Sequence, residues 1–347
     1  MMIGFVIREL TYLKVLQPII QEAIKRGCAY VVYYMDCPHG AKEYNRPTAV
    51  NMKSTFGGQA VRLIPFSTDS ELKGLLLRDR VDRFVSIEVG LFKHEFGGFW
   101  HANGIKVYSI AYLTDTLWQP SSMFDGLDRF YYTSKYLMEL HHKFSGTKYD
   151  STRDRCLGSP LFDGLTKLSN TRANKTLVLL PSVYEADLEA YFGTKDYFLR
   201  LMRALGPDLL LKTRKKHWVP YELGQTVAFD DERMVYPPIT TQLFEQTHTT
   251  VMFLSSGVYE AVCANQYVVN VNLPTNYWPW NQQNMLEYFS GSAYNYGGVV
   301  KSVEQEELLS GLEPHTLNQT ARKEWLALHT DNVELSSSEL ILEDILK

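Results

Sequence analysis

Long apolar runs are missing from this 347-residue sequence. None reaches the roughly 18 residues that span a bilayer, and the N-terminal residues lack the basic-then-apolar order of a secretory signal. Cysteine is scarce: Cys28, Cys37, Cys156 and Cys263 are the only four, and none forms a C-x-x-C pair. That disfavours a zinc cluster or a disulfide framework, and a cytoplasmic, reducing setting is expected. A strong excess of either charge is also missing, since 35 Lys and Arg face 39 Asp and Glu for a formal net charge of −4. Nucleic acid is therefore not expected as the main partner. No G-x-G-x-x-G follows the first apolar run, so the ordinary dinucleotide fingerprint is absent.

What is present is an alternation of short apolar runs and helical patterns. Met2–Ile7, Tyr30–Tyr34, Val61–Phe66, Arg83–Val89, Lys106–Tyr112 and Arg129–Thr133 read as strands. Leu13, Leu16, Ile19, Ile20, Ala23 and Ile24 recur at helical spacing between the first two, with Gly27 as a stop. Further helical patterns lie around Ser70–Arg78 and Lys135–Phe144. Such alternation predicts a doubly wound α/β domain with mostly parallel strands. The sequence from 151 to 174, with RDRCLGSPLFDGL, lacks apolar periodicity and is expected to connect two domains. A second α/β pattern follows: strands at Thr176–Leu180, Asp208–Lys212 and Met234–Pro238, and helices at Ala186–Leu205 and Gln242–Gln246. The expected division is 1–150, 151–174 as connector, 175–320, and an acidic helical tail over 321–347. Twenty-two tyrosines and six tryptophans, Trp278 and Trp280 among them, offer ring faces suited to sugars, though most rings in any protein serve packing.

The stretch Thr250–Pro274, TVMFLSSGVYEAVCANQYVVNVNLP, concentrates the chemistry. Two apolar runs flank a short helical segment, as in a βαβ unit of a buried parallel sheet. Ser255, Ser256 and Gly257 form the turn between strand and helix, where backbone N–H groups and the helix dipole favour an anion. The competing reading is that one serine merely caps the helix. In the same half, Lys212 and Arg214 leave a strand within K-T-R-K-K, a basic run that elsewhere is often only a solvated loop. In open α/β sheets ligands sit beyond the C-terminal strand ends. In the first half that rule selects Arg8, Glu9, Asp36, His39, Asp69, Glu88 and Asp115.

Two halves of this size, with S-S-G-x-x-E ahead of V-V-N-V, resemble the GT-B glycosyltransferase superfamily, which includes the UDP-N-acetylglucosamine 2-epimerases and polyol-phosphate transferases. IRELTYLKVLQPII is similar to the T-R-P-E start of the epimerases, and CLGSPLFDGL to a G-x-P-x-x-D that closes the first domain. The resemblance implies two Rossmann-like domains facing each other across a cleft. It implies that Ser255, Ser256 and Gly257 hold the donor diphosphate and that Glu260 accepts the ribose hydroxyls. Lys212 and Arg214 would neutralise the leaving diphosphate, Arg8 would reach the phosphate from the first domain, and Tyr236 with Pro237 would hold the base through their backbone. No bound metal or cofactor is implied, and no D-x-D stands in a position that contradicts this.

The departures are informative. The acidic catalytic patterns of the epimerases are not reproduced in VSIEVGLFKHEF and YSIAYLTDTLWQ, and the second lacks the glutamate. A transferase is thus the favoured expectation: a sugar passes from a UDP or GDP sugar to a hydroxyl of a glycan or other acceptor, without metal and with inversion. An inverting enzyme needs a base, and Asp115, Glu9, Asp69 and Glu88 are the candidates. Each has a structural alternative: a turn for Asp115, a helix start for Glu9, a cap for Asp69, and an ion pair with Lys93 or His94 for Glu88. An epimerase, a polyol-phosphate transferase, and a non-catalytic protein that binds a nucleotide sugar or glycan are the alternatives. The sugar, acceptor and oligomeric state are open at this point.

Overall fold

A computed structural model describes residues 1–36, 46–56, 59–87, 98–112, 116–117, 120–124, 126–168, 175–181, 188–214, 218–230, 238–273, 293–313, 316–331 and 335–347. The chain divides into two compact units, one built from Met1–Asp163 with Leu328–Lys347 and one from Gly164–Asp231 with Pro237–Ala327.

The first unit holds seven parallel strands: β1 (Ile3–Ile7), β2 (Tyr30–Met35), β3 (Leu63–Phe66), β4 (Arg83–Ile87), β5 (Lys106–Ile110), β6 (Arg129–Tyr132) and β7 (Asp154–Cys156). Their order is β3-β2-β1-β4-β5-β6-β7, which reverses direction between β1 and β4. Every residue of β1 is buried, as expected for a strand covered on both faces. Fully burying a side chain such as Ile3 or Val6 contributes about 1.5–3 kcal/mol, so a run of them fixes the register of this strand strongly. Gly4 has to be small, because a Cβ there would lie 3.0 Å from Val81 Cγ1.

Helices in this unit are α1 (Leu13–Lys25), α2 (Ala49–Thr55), α3 (Asp69–Arg78), α4 (Phe99–Ala102) and α5 (Lys135–Ser145). Pro18 lies inside α1, four residues after Lys14, and marks neither its start nor its end. The glycine-proline-aspartate motif acquires a mechanical reason. Leu161 and Phe162 are buried in a 3₁₀ turn, and the Asp163 carboxylate accepts from Ser337 N at 2.8 Å and Ser338 N at 2.9 Å. It thereby caps the last helix, Ser337–Leu346. The acidic face of that helix is matched as well: Arg26 contacts Glu343, Lys25 contacts Glu339, and Tyr131 Oη donates to Asp344 at 2.9 Å.

The second unit holds six parallel strands: β8 (Lys175–Leu179), β9 (Leu209–Arg214), β10 (Val227–Asp230), β11 (Thr247–Met252), β12 (Tyr267–Val271) and β13 (Val300–Val303). Their order is β10-β9-β8-β11-β12-β13, reversing between β8 and β11. The helical pattern expected over Ala186–Leu205 is two helices in the structure, α6 (Leu188–Phe192) and α7 (Lys195–Ala204). The break falls at Gly193, which has φ of +68°, followed by Thr194, whose hydroxyl caps α7 by accepting from Tyr197 N. The remaining helices are α8 (Ile239–Phe244), α9 (Gly257–Cys263), α10 (Gln305–Leu308) and α11 (Gln319–His329), followed by the Ser337–Leu346 helix, α12. Alternation along β9 and β12 sends Leu209, Leu211, Val269 and Val271 into one apolar cluster with Phe198, Leu201 and Met202 of α7. Lys212 and Asn270 therefore belong to the other face. Right-handed crossovers from β8 to β9 and from β11 to β12 run in opposite directions along the sheet, which puts α9 on that other face.

Candidate functional site

A reversal of strand order leaves a crevice at the C-terminal strand ends, because the two connections depart to opposite faces. In the second unit the crevice lies where β8 and β11 end, and the chain leaving β11 is Phe253-Leu254-Ser255-Ser256-Gly257. Leu254 has φ of +45°, a left-handed conformation that costs a branched residue about 1–2 kcal/mol. Gly257 begins α9 so close to β8 that a Cβ would approach Leu179 Cδ1 to 2.7 Å. The capping reading applies to one serine: Ser255 Oγ accepts from Gly257 N at 3.1 Å. Ser256 stands in the N-cap position but makes no side-chain capping bond. The first helical N–H groups are engaged locally, Val258 N with Ser255 O at 3.1 Å and Tyr259 N with Ser256 O at 3.3 Å. The far end of α9 is held by Arg322, which donates to Val262 O at 2.8 Å and Cys263 O at 2.7 Å.

The turn itself is braced by a closed circuit of hydrogen bonds. Leu254 N donates to Asn270 Oδ1 at 3.1 Å, and Asn270 Nδ2 donates to Ser302 Oγ at 3.1 Å. Ser302 Oγ donates to Tyr294 O at 2.8 Å, and Tyr294 Oη returns to Ser255 O at 3.2 Å. Asn270 is fully buried and Tyr294 almost so. Glu260 is half-buried one turn into α9, and Lys212 is half-buried near the end of β9, the strand next to β8. Arg214 ends β9, its backbone paired with Asp230. Beyond β11, β12 and β13 a cavity of about 1220 Å³ opens, lined by Leu254, Asn272, Ser302, Tyr197 and Arg200 among others.

In the first unit the reversal lies between β1 and β4, and Arg8 and Glu9 follow β1 directly. Arg8 is nearly buried, and its guanidinium donates to the Asp69 carboxylate and lies over the Phe66 ring at 5.8 Å. Asp69 is the first residue of α3, and the cap expected of it belongs to Thr68, whose hydroxyl accepts from Glu71 N at 3.2 Å. Glu9 is half-buried, and its Oε2 accepts from Thr11 Oγ1 at 3.4 Å. The expected acids differ in setting: Asp69 is committed to an arginine, whereas Glu9 is half-buried and accepts from the Thr11 hydroxyl. Glu88, Asp115, Tyr236, Pro237, His39, His94, Trp278 and Trp280 lie outside the described residues.

Sequence reasoning missed Asn270 and Tyr294. The signal for the first was a lone amide inside V-V-N-V, a position that alternation in a buried strand reserves for apolar side chains. Among the described residues no group of three or more His, Cys, Asp or Glu side chains converges in the manner of metal ligands. No described helix is long and apolar enough to cross a membrane.

Solved structures of the same architecture match over nearly the whole chain. MurG of Acinetobacter baumannii is 10% identical over 99% of this chain and 99% of its own, with a TM-score of 0.56. The UDP-GlcNAc 2-epimerase of Methanocaldococcus jannaschii, solved with UDP-GlcNAc and UDP, is 9% identical over 100% and 99%, with a TM-score of 0.56. The wall teichoic acid polymerase TagF is 11% identical over 99% of this chain and 88% of its own, with a TM-score of 0.61. No protein-family signature matches the chain, and no curated protein matches it in sequence. Identities this low establish the fold alone, and that fold is GT-B.

Proposed function

From the GT-B fold we propose that the protein is a glycosyltransferase, moving a sugar from a nucleotide-diphosphate sugar to a hydroxyl acceptor. One observation carries the reading: the Ser-Ser-Gly turn stands at the strand-order reversal of the second sheet, in a fold whose solved example from Methanocaldococcus holds UDP-GlcNAc and UDP. In this reading Ser256 and the turn backbone receive the diphosphate, and Glu260 accepts the ribose hydroxyls. Lys212 and Arg214 offset the charge that develops as the leaving group departs. Tyr236 and Pro237 are assigned to the base. Glu9 is the general base of choice, ahead of Asp69, Glu88 and Asp115, because it stands just beyond the strand at the reversal, whereas Asp69 is bound to Arg8. Arg8 is tied to Asp69, which offsets part of the charge it could offer the donor.

The step is a displacement at the anomeric carbon. The acceptor oxygen forms a bond to that carbon while its proton passes to the Glu9 carboxylate. The bond from the anomeric carbon to the diphosphate breaks, and its electron pair leaves on the nucleoside diphosphate. Inversion and independence of metal ions are part of the proposal, so activity is expected to persist in EDTA. A panel of UDP and GDP sugars tested by thermal shift decides whether a donor binds; stabilisation by none sinks the reading. Incubation of a stabilising donor without acceptor tests the epimerase alternative, since formation of the 2-epimer would replace transfer as the activity.

A further inference from the structure

We propose that Asn270 is a positioning residue for the donor-binding turn, acting with Tyr294 and touching no substrate itself. The inference rests on the donor reading above and adds what holds that turn in its binding shape. Leu254 is one of four described non-glycine residues with positive φ, and it immediately precedes Ser255 and Ser256. A leucine stays in that conformation only where its surroundings hold it. The holding group is the Asn270 amide. Its oxygen takes the Leu254 N–H at 3.1 Å, and its nitrogen is fixed by Ser302 Oγ at 3.1 Å and more weakly by Asn272 Oδ1 at 3.5 Å.

The register makes the amide well placed for this. Asn270 is paired on one side with Met252 of β11 and on the other with Ser302 of β13. A side chain at that point reaches the chain leaving β11 and the next strand together. From Ser302 the circuit passes to Tyr294 O and returns through Tyr294 Oη to Ser255 O at 3.2 Å, so both sides of the Leu254–Ser255 peptide are clamped. An apolar side chain of similar size at 270 would satisfy the core equally well and leave the Leu254 N–H without that acceptor. A buried amide in an otherwise apolar strand is thus explained by the turn rather than by packing.

The test is the dissociation constant for UDP and for GDP, measured calorimetrically beside the melting temperature. Asn270→Ala is expected to weaken the nucleotide that binds wild type by about tenfold or more, and Tyr294→Phe by about threefold. Leu254→Gly in the Asn270→Ala background is expected to recover most of the lost affinity, because glycine adopts the left-handed conformation without a clamp. A purely structural role moves the melting temperature and leaves affinity alone. If wild type binds and Asn270→Ala binds within about twofold, the inference fails. If Asn270→Ala does not fold, Tyr294→Phe decides in the same way, unchanged affinity overturning the clamp. Wild type that binds neither nucleotide is a different result: it removes the donor reading, and this inference with it.

Discussion

The two sheets reverse strand order at equivalent points, yet the groups gathered there differ in kind. At the first, the chain leaving β1 carries Arg8 and Glu9, and a guanidinium–carboxylate pair to Asp69 organises the surroundings. At the second, the chain leaving β11 carries two serines and a glycine, organised by an amide, a hydroxyl and a phenol. A carboxylate in such a place can take the proton of an attacking hydroxyl. Neutral donors in fixed places suit a charged ligand, which they receive without competing counter-charges of their own. Under the proposed function, the first unit would supply the chemistry and the second would hold the anion.

The hardest blow to that division is a single oxygen-to-nitrogen change in the first unit. Glu9→Gln is expected to lower turnover by about 10²–10⁴-fold while leaving the donor dissociation constant unchanged. Asp69→Asn is expected to act otherwise, weakening stability through Arg8 by about 1–3 kcal/mol, with a smaller effect on turnover. Equal loss of turnover in both variants would erase the distinction between the two acids. Single-turnover kinetics beside urea melts separates these outcomes.

The next difference is in response to acid. Burial alone would raise the carboxyl of Asp154, but hydrogen bonds from His142 and Arg153 outweigh it and hold its pKa at about 2. Asp79 is likewise held at about 2, chiefly by the hydrogen bond from Arg78 and against burial, with Tyr33 and Arg62 adding to it. His329 moves the other way in charge but not in consequence: burial disfavours its cation and lowers its pKa to about 3. All three groups bind protons more readily when unfolded, where their pKa values are about 3.9 and 6.5. Their stabilisation is complete above those values and is lost as pH falls towards 2 to 3. Each aspartate is worth at most about 2.6 kcal/mol by this route. All three lie in the first unit. Hydrogen exchange at pH 3 is therefore expected to show β6 and β7 opening before β11 and β12. His329→Gln should flatten the loss between pH 6.5 and 4. Simultaneous opening of both sheets would show that the contrast in charge does not reach stability.

The sequence legibility of these features follows the range of the forces that make them. β1, β2, β4, β5 and β6 were readable because buried parallel strands carry mostly apolar runs, even where, as in β4 (RFVSI), a polar residue starts or interrupts the run. β7 (DRC), β10 (VAFD) and β13 (VKSV) were not, since short strands towards the sheet edges carry polar residues and take their structure from a neighbour. The Ser-Ser-Gly turn announced itself through local composition. Its clamp did not, because Asn270 is 16 residues from Leu254 and 32 from Ser302, and Arg8 is 61 residues from Asp69. Contacts between side chains at such separations leave no periodic trace.

The smallest expected effect probes why glycine stands at 257. In a turn of neutral groups the geometry of the backbone matters more than charge, and Gly257 lets α9 begin against β8. Its φ does not require glycine, so the constraint is space alone: an added methyl meets Leu179 Cδ1 at 2.7 Å. Leu179 is buried, but the atom in question is the end of a flexible side chain, so the helix start shifts by a fraction of an ångström. Gly257→Ala is expected to cost about 1–2 kcal/mol of stability. It should also weaken donor binding more than that cost suggests, because Ser255 Oγ, which receives the Gly257 N–H, is the next nearest atom, at 3.3 Å. Shortening the opposing side chain separates the two consequences. In Leu179→Ala the new methyl has room, so Gly257→Ala in that background should cost less in both stability and affinity than in wild type, a coupling read from a double-mutant cycle. Additive costs would mean that α9 can start elsewhere without loss. The turn would then be a loose connection rather than a fixed receiver, and the division of labour between the two sheets would lose its second half.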